Sequence, residues 1–172
     1  LGKHEPGIPP YVIVDGMNMA YQAFYAYKRL TLKRTGESVA ILFGFIEILK
    51  SIIAENCWRP EKVIVVWDGR RSKKRLKWLP EYKSHRSSNN SAENRKEIYR
   101  QCKKVRKFLH TMGICQVRNP KVEGDDMIWL VCQKYVKLSK VKIISGDHDM
   151  MQLVSHDISL YNQRNKALYR SE

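Results

Sequence analysis

Three short apolar runs, each followed by an aspartate, constrain the fold of this 172-residue chain most strongly. Continuous β-branched runs of this length are typical of strands that are buried on both faces of a parallel sheet. Apolar residues between the runs recur at helical spacing. The sequence therefore predicts an α/β sandwich with a mostly parallel central sheet. The strands are predicted at residues 11–14, 63–67, 114–118, 141–145 and 158–161, and the helices at 17–28, 38–56, 92–109, 123–137 and 150–154. In the helix at 123–137, Met127, Leu130 and Val131 are expected to face inward.

Six of the seven aspartates fall in four places along the chain, together with one glutamate. Any one of them alone is explained as a turn or helix-cap residue. Four unrelated turn or cap residues have no reason to lie at the same edge of one sheet. If the strands that precede these acids are neighbours in a parallel sheet, we expect the carboxylates to converge at that edge. Converging carboxylates need compensating charge, which Mg²⁺ or Mn²⁺ supplies through oxygen ligands. Two such ions about 4 Å apart can drive phosphodiester hydrolysis. The residues are Asp15, Asp68, Glu123, Asp125, Asp126, Asp147 and Asp149.

Positive charge is concentrated in one segment. The chain has 32 Lys and Arg against 17 Asp and Glu, a net charge of +15, and residues 70–107 hold 15 of the basic residues and three Glu. Trp78 and Tyr82 are interleaved with this charge and could stack on unpaired bases. A one-signed segment directly after Asp68 favours contacts with the phosphates of a nucleic acid.

The four cysteines have no close pair and no neighbouring histidine at zinc-ligand spacing. We expect free, mostly buried thiols, which suit a reducing compartment. The longest apolar run is too short to cross a bilayer.

Five motifs in order resemble the 5′ nuclease family, which includes flap endonucleases, phage 5′–3′ exonucleases and the 5′ nuclease domain of bacterial DNA polymerase I. They are VIVDGMN at 12–18, VVWDGRRSKKR at 65–75, LPEYKSHR at 79–86, VEGDDM at 122–127 and IISGDHDMMQLV at 143–154. The resemblance implies a PIN-like three-layer fold and a two-metal, Mg²⁺-dependent nuclease in which Mn²⁺ substitutes. The implied substrate is DNA with a 5′ flap, a 5′ end or a single-stranded branch, and RNA in RNA–DNA hybrids stays open.

Residue roles follow from the same resemblance. The seven acids listed above match the metal-site residues of the family. Lys83 and Arg86 match its basic catalytic pair, and a segment at about 70–107 matches its helical arch, which contacts DNA. The arch residues expected to bind DNA are Arg70, Arg71, Lys73, Lys74, Arg75, Lys77 and Tyr82.

The resemblance also implies a helix–three-turn–helix module after the catalytic domain, and we expect this module to lie outside residues 1–172. We expect residues 1–172 to form the catalytic domain of a longer protein, or of one completed by a separate chain. The cytoplasm of a phage host or a bacterium is the expected compartment.

Two other functions stay open at the level of sequence. One is a PIN-type ribonuclease, which the basic arch disfavours. The other is a non-catalytic or partner-dependent DNA-binding subunit, which has no need of the acids. A phosphatase with an aspartate nucleophile is disfavoured because Met17 stands where its second aspartate belongs.

Overall fold

A computed structural model describes residues 10–55, 59–69 and 92–171. Strands and helices alternate along most of this chain, as the sequence predicts. The strands are β1 (Tyr11–Asp15), β2 (Val63–Trp67), β3 (Cys115–Arg118), β4 (Val141–Ile144), β5 (Ile158–Asn162) and β6 (Ala167–Tyr169). The α-helices are α1 (Gly16–Ala26), α2 (Ala40–Glu55), α3 (Ala92–Thr111) and α4 (Gly124–Tyr135), with short 3₁₀ helices at Pro60–Lys62 and His148–Leu153.

The six strands form one sheet in the order β3-β2-β1-β4-β5-β6. The first five are parallel, and β6 alone runs antiparallel, beside β5. Ile13 in β1 is in register with Ile64 of β2 on one side and Ile143 of β4 on the other. The three strands that precede aspartates are therefore direct neighbours, and their carboxyl ends lie at the same edge.

Helices cover both faces of the sheet, which gives the predicted three-layer arrangement. Alternate residues of β1 contribute to opposite cores because side chains alternate across a strand. Val12 and Val14 pack against α1, α2 and α3, whereas Ile13 packs on the other face with α4. On the first face the rings of Phe45 and Trp67 stack with centroids 5.5 Å apart. The two cores hold the strand ends, and the acids that follow them, in fixed positions.

Two details differ from the sequence prediction. Leu130 was expected to face inward, but its side chain is 47% exposed. Met127, Ile128 and Val131 occupy the buried stripe of α4, and a helical turn of about 100° per residue carries position 130 away from it. Strand β6 was not predicted, because three residues after a turn carry too short a pattern to recognise.

The cysteine prediction is confirmed within the described residues. Cys102 and Cys132 are buried free thiols, and Cys115 is free and exposed. Within the described ranges, no helix combines the length and apolar character required to cross a membrane.

Candidate active site

Asp15 lies at the centre of the acidic edge, at the last position of the central strand β1. Its Oδ1 accepts a hydrogen bond from the Asn18 N–H (2.9 Å), which caps α1. Its Oδ2 accepts one from the Ser145 hydroxyl (3.0 Å), which follows the neighbouring strand β4. The pKa of Asp15 is raised to about 6, mainly by burial and to a smaller extent by the charges of Asp125 and Asp68, although the two hydrogen bonds lower it. The three carboxylates are therefore electrostatically coupled.

Asp68 follows β2 and is tied to the start of α4. The Gly124 N–H, at the first position of that helix, donates to Asp68 Oδ1. The adjacent Gly69 N–H donates to the Val122 carbonyl (3.1 Å), so two bonds join these loops. A carboxylate at a helix N-terminus also benefits from the partial positive charge there. This contact brings Asp68 beside the acidic start of α4.

Gly124 has a steric reason to be glycine. A Cβ at this position would lie 2.9 Å from Asp68 Oδ1 and 3.3 Å from its carboxyl carbon. Both distances are shorter than ordinary contacts, so a larger residue would push the Asp68 carboxylate away from the backbone N–H that it accepts.

The remaining acids occupy the start of α4 and the loop after β4. Glu123 is the N-cap residue of α4, and its side chain is only 4% exposed. Asp125 and Asp126 lie in the first turn of the same helix. Asp147 caps the following 3₁₀ helix by accepting the Asp149 N–H at 3.0 Å. All seven predicted acids are thus placed at or next to the carboxyl edge of the sheet.

Asn18 and Ser145 connect the loops that carry these acids. Asn18 Oδ1 accepts the Gly146 N–H (2.9 Å) and a hydrogen bond from Gln22 Nε2 (2.6 Å). Ser145 Oγ accepts the Asp147 N–H (3.1 Å) while its hydroxyl donates to Asp15. Sequence reasoning did not select either residue, although both lie within the motifs at 12–18 and 143–154. Their signal was a position within three residues of a predicted site aspartate, since Asn18 follows Asp15 by three positions and Ser145 precedes Asp147 by two.

The donor chemistry of this edge fits a hard divalent cation, because the selected side chains offer carboxylate oxygens. Within residues 10–55, 59–69 and 92–171, no three or more His, Cys, Asp or Glu side chains lie close enough together to hold a metal ion, so the expected convergence of the acids into one metal-binding group is not seen there. The negative charges of Asp68 and Asp125 nevertheless act on Asp15 at this edge. Such an arrangement suits Mg²⁺, which keeps several water ligands and needs few direct protein ligands.

The predicted catalytic pair and the predicted DNA-binding residues fall outside the described ranges. They are the catalytic pair Lys83 and Arg86 and the DNA-binding set Arg70, Arg71, Lys73, Lys74, Arg75, Lys77 and Tyr82. Their roles stay predictions.

Sequence comparison identifies relatives over most of the chain. Residues 10–172 match the family model described as the 5′-3′ exonuclease, N-terminal resolvase-like domain. A 5′-3′ exonuclease of Buchnera aphidicola (from Acyrthosiphon pisum) is 29% identical over 164 residues, covering 95% of this chain and 55% of that protein. One from Aquifex aeolicus is 30% identical over 161 residues, covering 93% and 53%. The chain thus spans about half the length of these relatives.

Structure comparison identifies the same fold. T5 5′-exonuclease with bound zinc ions has a TM-score of 0.73 at 20% identity, covering 94% of this chain and 58% of that one. The bacteriophage T5 D15 flap endonuclease, as a pseudo-enzyme–product complex with DNA and metal ions, has a TM-score of 0.71 at 19% identity, covering 92% and 57%. These likenesses confirm the predicted PIN-like α/β fold. With the family match over residues 10–172, they lead to one conclusion: the chain belongs to the 5′-3′ exonuclease family and comprises its N-terminal resolvase-like domain.

Proposed function

We propose that this chain is the catalytic core of a Mg²⁺-dependent 5′ nuclease that hydrolyses phosphodiesters near the 5′ end of DNA by two-metal catalysis. The observation that carries the proposal is the position of the acids at the carboxyl edge of three adjoining parallel strands, where hydrogen bonds tie Asp15 to the loop after β4 and Asp68 to the start of α4. The negative charges of Asp68 and Asp125 raise the pKa of Asp15 and so disfavour its ionised form. A bound divalent cation would instead favour the ionised carboxylates. Without a cation, the repulsion between these charges reduces the stability of the folded chain.

The seven acids divide by position into direct and indirect cation ligands. Asp15, Asp68 and Asp125 would contribute direct ligands, because their charges already interact. Glu123, Asp126, Asp147 and Asp149 would orient metal-bound waters or hold a second ion from the surrounding loops. The bound cations would activate a water and stabilise the departing oxygen. Water adds to phosphorus and the bond to the 3′ oxygen breaks, which leaves a 5′-phosphate and a 3′-hydroxyl.

Basic side chains complete the proposed site. Lys83 would offset negative charge that develops on the phosphate, and Arg86 would bind phosphate oxygens in a bidentate manner. The expected substrates are DNA with a 5′ flap, a 5′ end or a single-stranded branch, and RNA–DNA hybrids extend this range. The T5 relative in complex with DNA and metal ions supports the substrate class. A C-terminal module, in the same or a separate chain, would hold the duplex, and the compartment would be the bacterial or phage-host cytoplasm.

A non-catalytic DNA-binding subunit is the second candidate. The observation that favours it is that, among the described residues, no three or more His, Cys, Asp or Glu side chains form a group that could hold a metal ion. Such a subunit would bind DNA equally well with EDTA or Mg²⁺ and would cleave nothing.

Cleavage of a 5′-labelled flap duplex and of a plain single strand, each with Mg²⁺, Mn²⁺ or EDTA, distinguishes these functions. The nuclease proposal expects short labelled fragments from the flap with either metal and none with EDTA. Folded protein that binds the flap but releases no fragment, even when supplied with the C-terminal part of a relative, would contradict it. Release of fragments only from a single-stranded RNA would instead indicate a PIN-type ribonuclease.

A further inference from the structure

A basic groove lies outside the acidic edge, between helix α3 and the edge strand β3. It has a volume of about 410 Å³ and is lined mainly by cationic and polar side chains. Its lining residues are Trp67, Lys103, Arg106, Lys107, His110, Gln116 and Arg118. The cations from α3 recur three or four positions apart, so they form one row on the helix surface. We call this feature the lateral groove.

The cations of the lateral groove differ from those on another face of the same helix. There, Arg100 pairs with Glu97 (2.8 Å) and with Glu37, and Lys104 pairs with Glu37 as well. In the lateral groove, Lys103, Arg106 and Lys107 form no ion pair with any acid in the described part of the chain. One face of α3 is therefore neutralised internally, and the other presents uncompensated charge to a partner.

Hydrogen bonds hold the floor of the lateral groove in place. The buried Trp67 donates through Nε1 to Gln116 Oε1 (2.9 Å), and Gln116 Nε2 donates to the Arg106 carbonyl (2.9 Å). These bonds join β2, β3 and α3. The cations above the floor thus extend from a rigid surface, which lowers the entropy lost when they bind a ligand.

The lateral groove begins beside the acidic edge. Arg118 at the carboxyl end of β3 donates through Nε to the Asp68 backbone carbonyl (3.3 Å). From there the row of cations follows α3 along the edge strand toward His110. Because an α-helix rises 1.5 Å per residue, the row of cations from Lys103 to His110 is about 10 Å long. That length matches about three nucleotides of one B-form strand, at 3.4 Å each.

We propose that the lateral groove binds the phosphodiester backbone of the substrate strand over about three nucleotides as that strand extends from the acidic edge. This inference rests on the proposed function, because it takes the reacting phosphodiester to lie at that edge. A regularly charged polymer fits a regular row of cations better than an acidic protein surface does. Lys and Arg contacts to phosphate carry no sequence information, so the binding is independent of base sequence.

The test is the salt dependence of binding to a fluorescent single-stranded DNA, measured by anisotropy in EDTA so that no hydrolysis is needed. The variant Lys103→Ala/Lys107→Ala removes two cations, and alanine preserves the helix. The matched control is Lys137→Ala/Lys140→Ala, which removes two exposed cations near the amino edge of the sheet, opposite the acids. Thermal unfolding of each variant verifies that it is folded.

We expect the groove variant to bind about tenfold more weakly at moderate salt. Its slope of log K against log salt should be smaller by about 1.4, since each phosphate contact to a single strand contributes about 0.7. The control should keep the slope of the unmodified protein. Equal slopes for the groove variant and the control would overturn the proposal. The proposal would also be overturned if the groove variant lost as much affinity for an oligoglutamate of matched charge as it loses for DNA. The lateral groove would then bind anions in general.

The outcome is independent of the nuclease assay. If the groove variant shows the smaller salt slope but the unmodified protein cleaves no substrate, the binding role of the lateral groove is supported and only the nuclease proposal is contradicted. Cleavage with an unchanged slope would contradict the lateral groove alone.

Discussion

The backbone N–H of Gly124 donates a hydrogen bond to the Asp68 carboxylate, joining the start of α4 to the end of β2 across 56 residues of sequence. This bond fixes one acid of the edge beside the helix that carries three others.

Gly124→Ala is expected to impair cleavage more than it impairs folding. The new Cβ would lie 2.9 Å from Asp68 Oδ1, so the carboxylate must move. Alanine favours the helix, which limits the cost to stability. We expect about a tenfold or greater loss of kcat, with a melting temperature close to that of the unmodified protein. Gln133→Ala, at an exposed position of the same helix, is the control, and equal activity of the two variants would contradict this role for Gly124.

The stability of the metal-free protein should depend on pH through Asp15. Its pKa rises from an ordinary 3.8 to about 6 in the folded chain, so the folded state binds more protons than the unfolded state between about pH 4 and 6. The contribution of Asp15 to the free energy of unfolding therefore falls as pH rises through this window, by about 2–3 kcal/mol at most.

Asp15→Asn removes that ionisation while keeping a side-chain acceptor for the Asn18 N–H. In EDTA we expect Asp15→Asn to be more stable than the unmodified protein at pH 8, and the difference to disappear near pH 4. Urea unfolding at several pH values measures this. A stability difference that is the same at pH 4 and pH 8 would show that the ionisation of Asp15 does not govern it.

Divalent cations should stabilise the folded protein because they bind the acidic edge only when it is assembled. At a concentration ten times the Kd, the expected gain is about 1.4 kcal/mol, which corresponds to a rise in Tm of about 3–6 °C. Thermal unfolding with MgCl₂ against NaCl of equal ionic strength measures this gain. Asp15→Asn should lose most of it. An equal Mg²⁺-dependent rise in both proteins would place the cations elsewhere.

Lys83→Ala is expected to slow the chemical step more than it weakens DNA binding. A cation that acts on charge developing in the transition state lowers kcat by about 10²–10³ when removed. Its contribution to ground-state affinity should be about threefold or less. Single-turnover cleavage and anisotropy binding separate the two effects. Equal losses in rate and affinity would make Lys83 a phosphate anchor.

The central strands were predictable because a local pattern determines them. The run before Asp15 and the run before Asp68 are β-branched and uninterrupted, and burial on both faces requires such residues. The sequence predicted that the acids at the ends of β1, β2 and β4 would share one edge if these strands were neighbours, and the sheet places β2 and β4 on either side of β1. The prediction of a shared edge thus came from a chemical argument about Asp15, Asp68 and Asp147 rather than from secondary-structure propensity.

The contacts that organise the edge could not be read from the sequence. Asn18 and Gly146 are 128 positions apart, and only the folded sheet brings the amide oxygen of one to the N–H of the other. The uncompensated face of α3 was equally hidden, because the sequence does not show which basic residues pair with Glu37. Both features depend on tertiary packing of distant segments.

The central claim is that the carboxylates at this edge perform metal-dependent cleavage, and cleavage of the 5′-labelled flap by Asp68→Asn and Asp147→Asn tests it most directly. The control is Asp157→Asn, which neutralises an exposed aspartate directly before β5, at the opposite edge of the sheet. We predict that the two edge variants lose cleavage, by about 10²-fold or more, while binding DNA as well as the unmodified protein or more tightly, because a repelling charge is removed. The control should retain full activity. Undiminished cleavage by both edge variants would contradict the account.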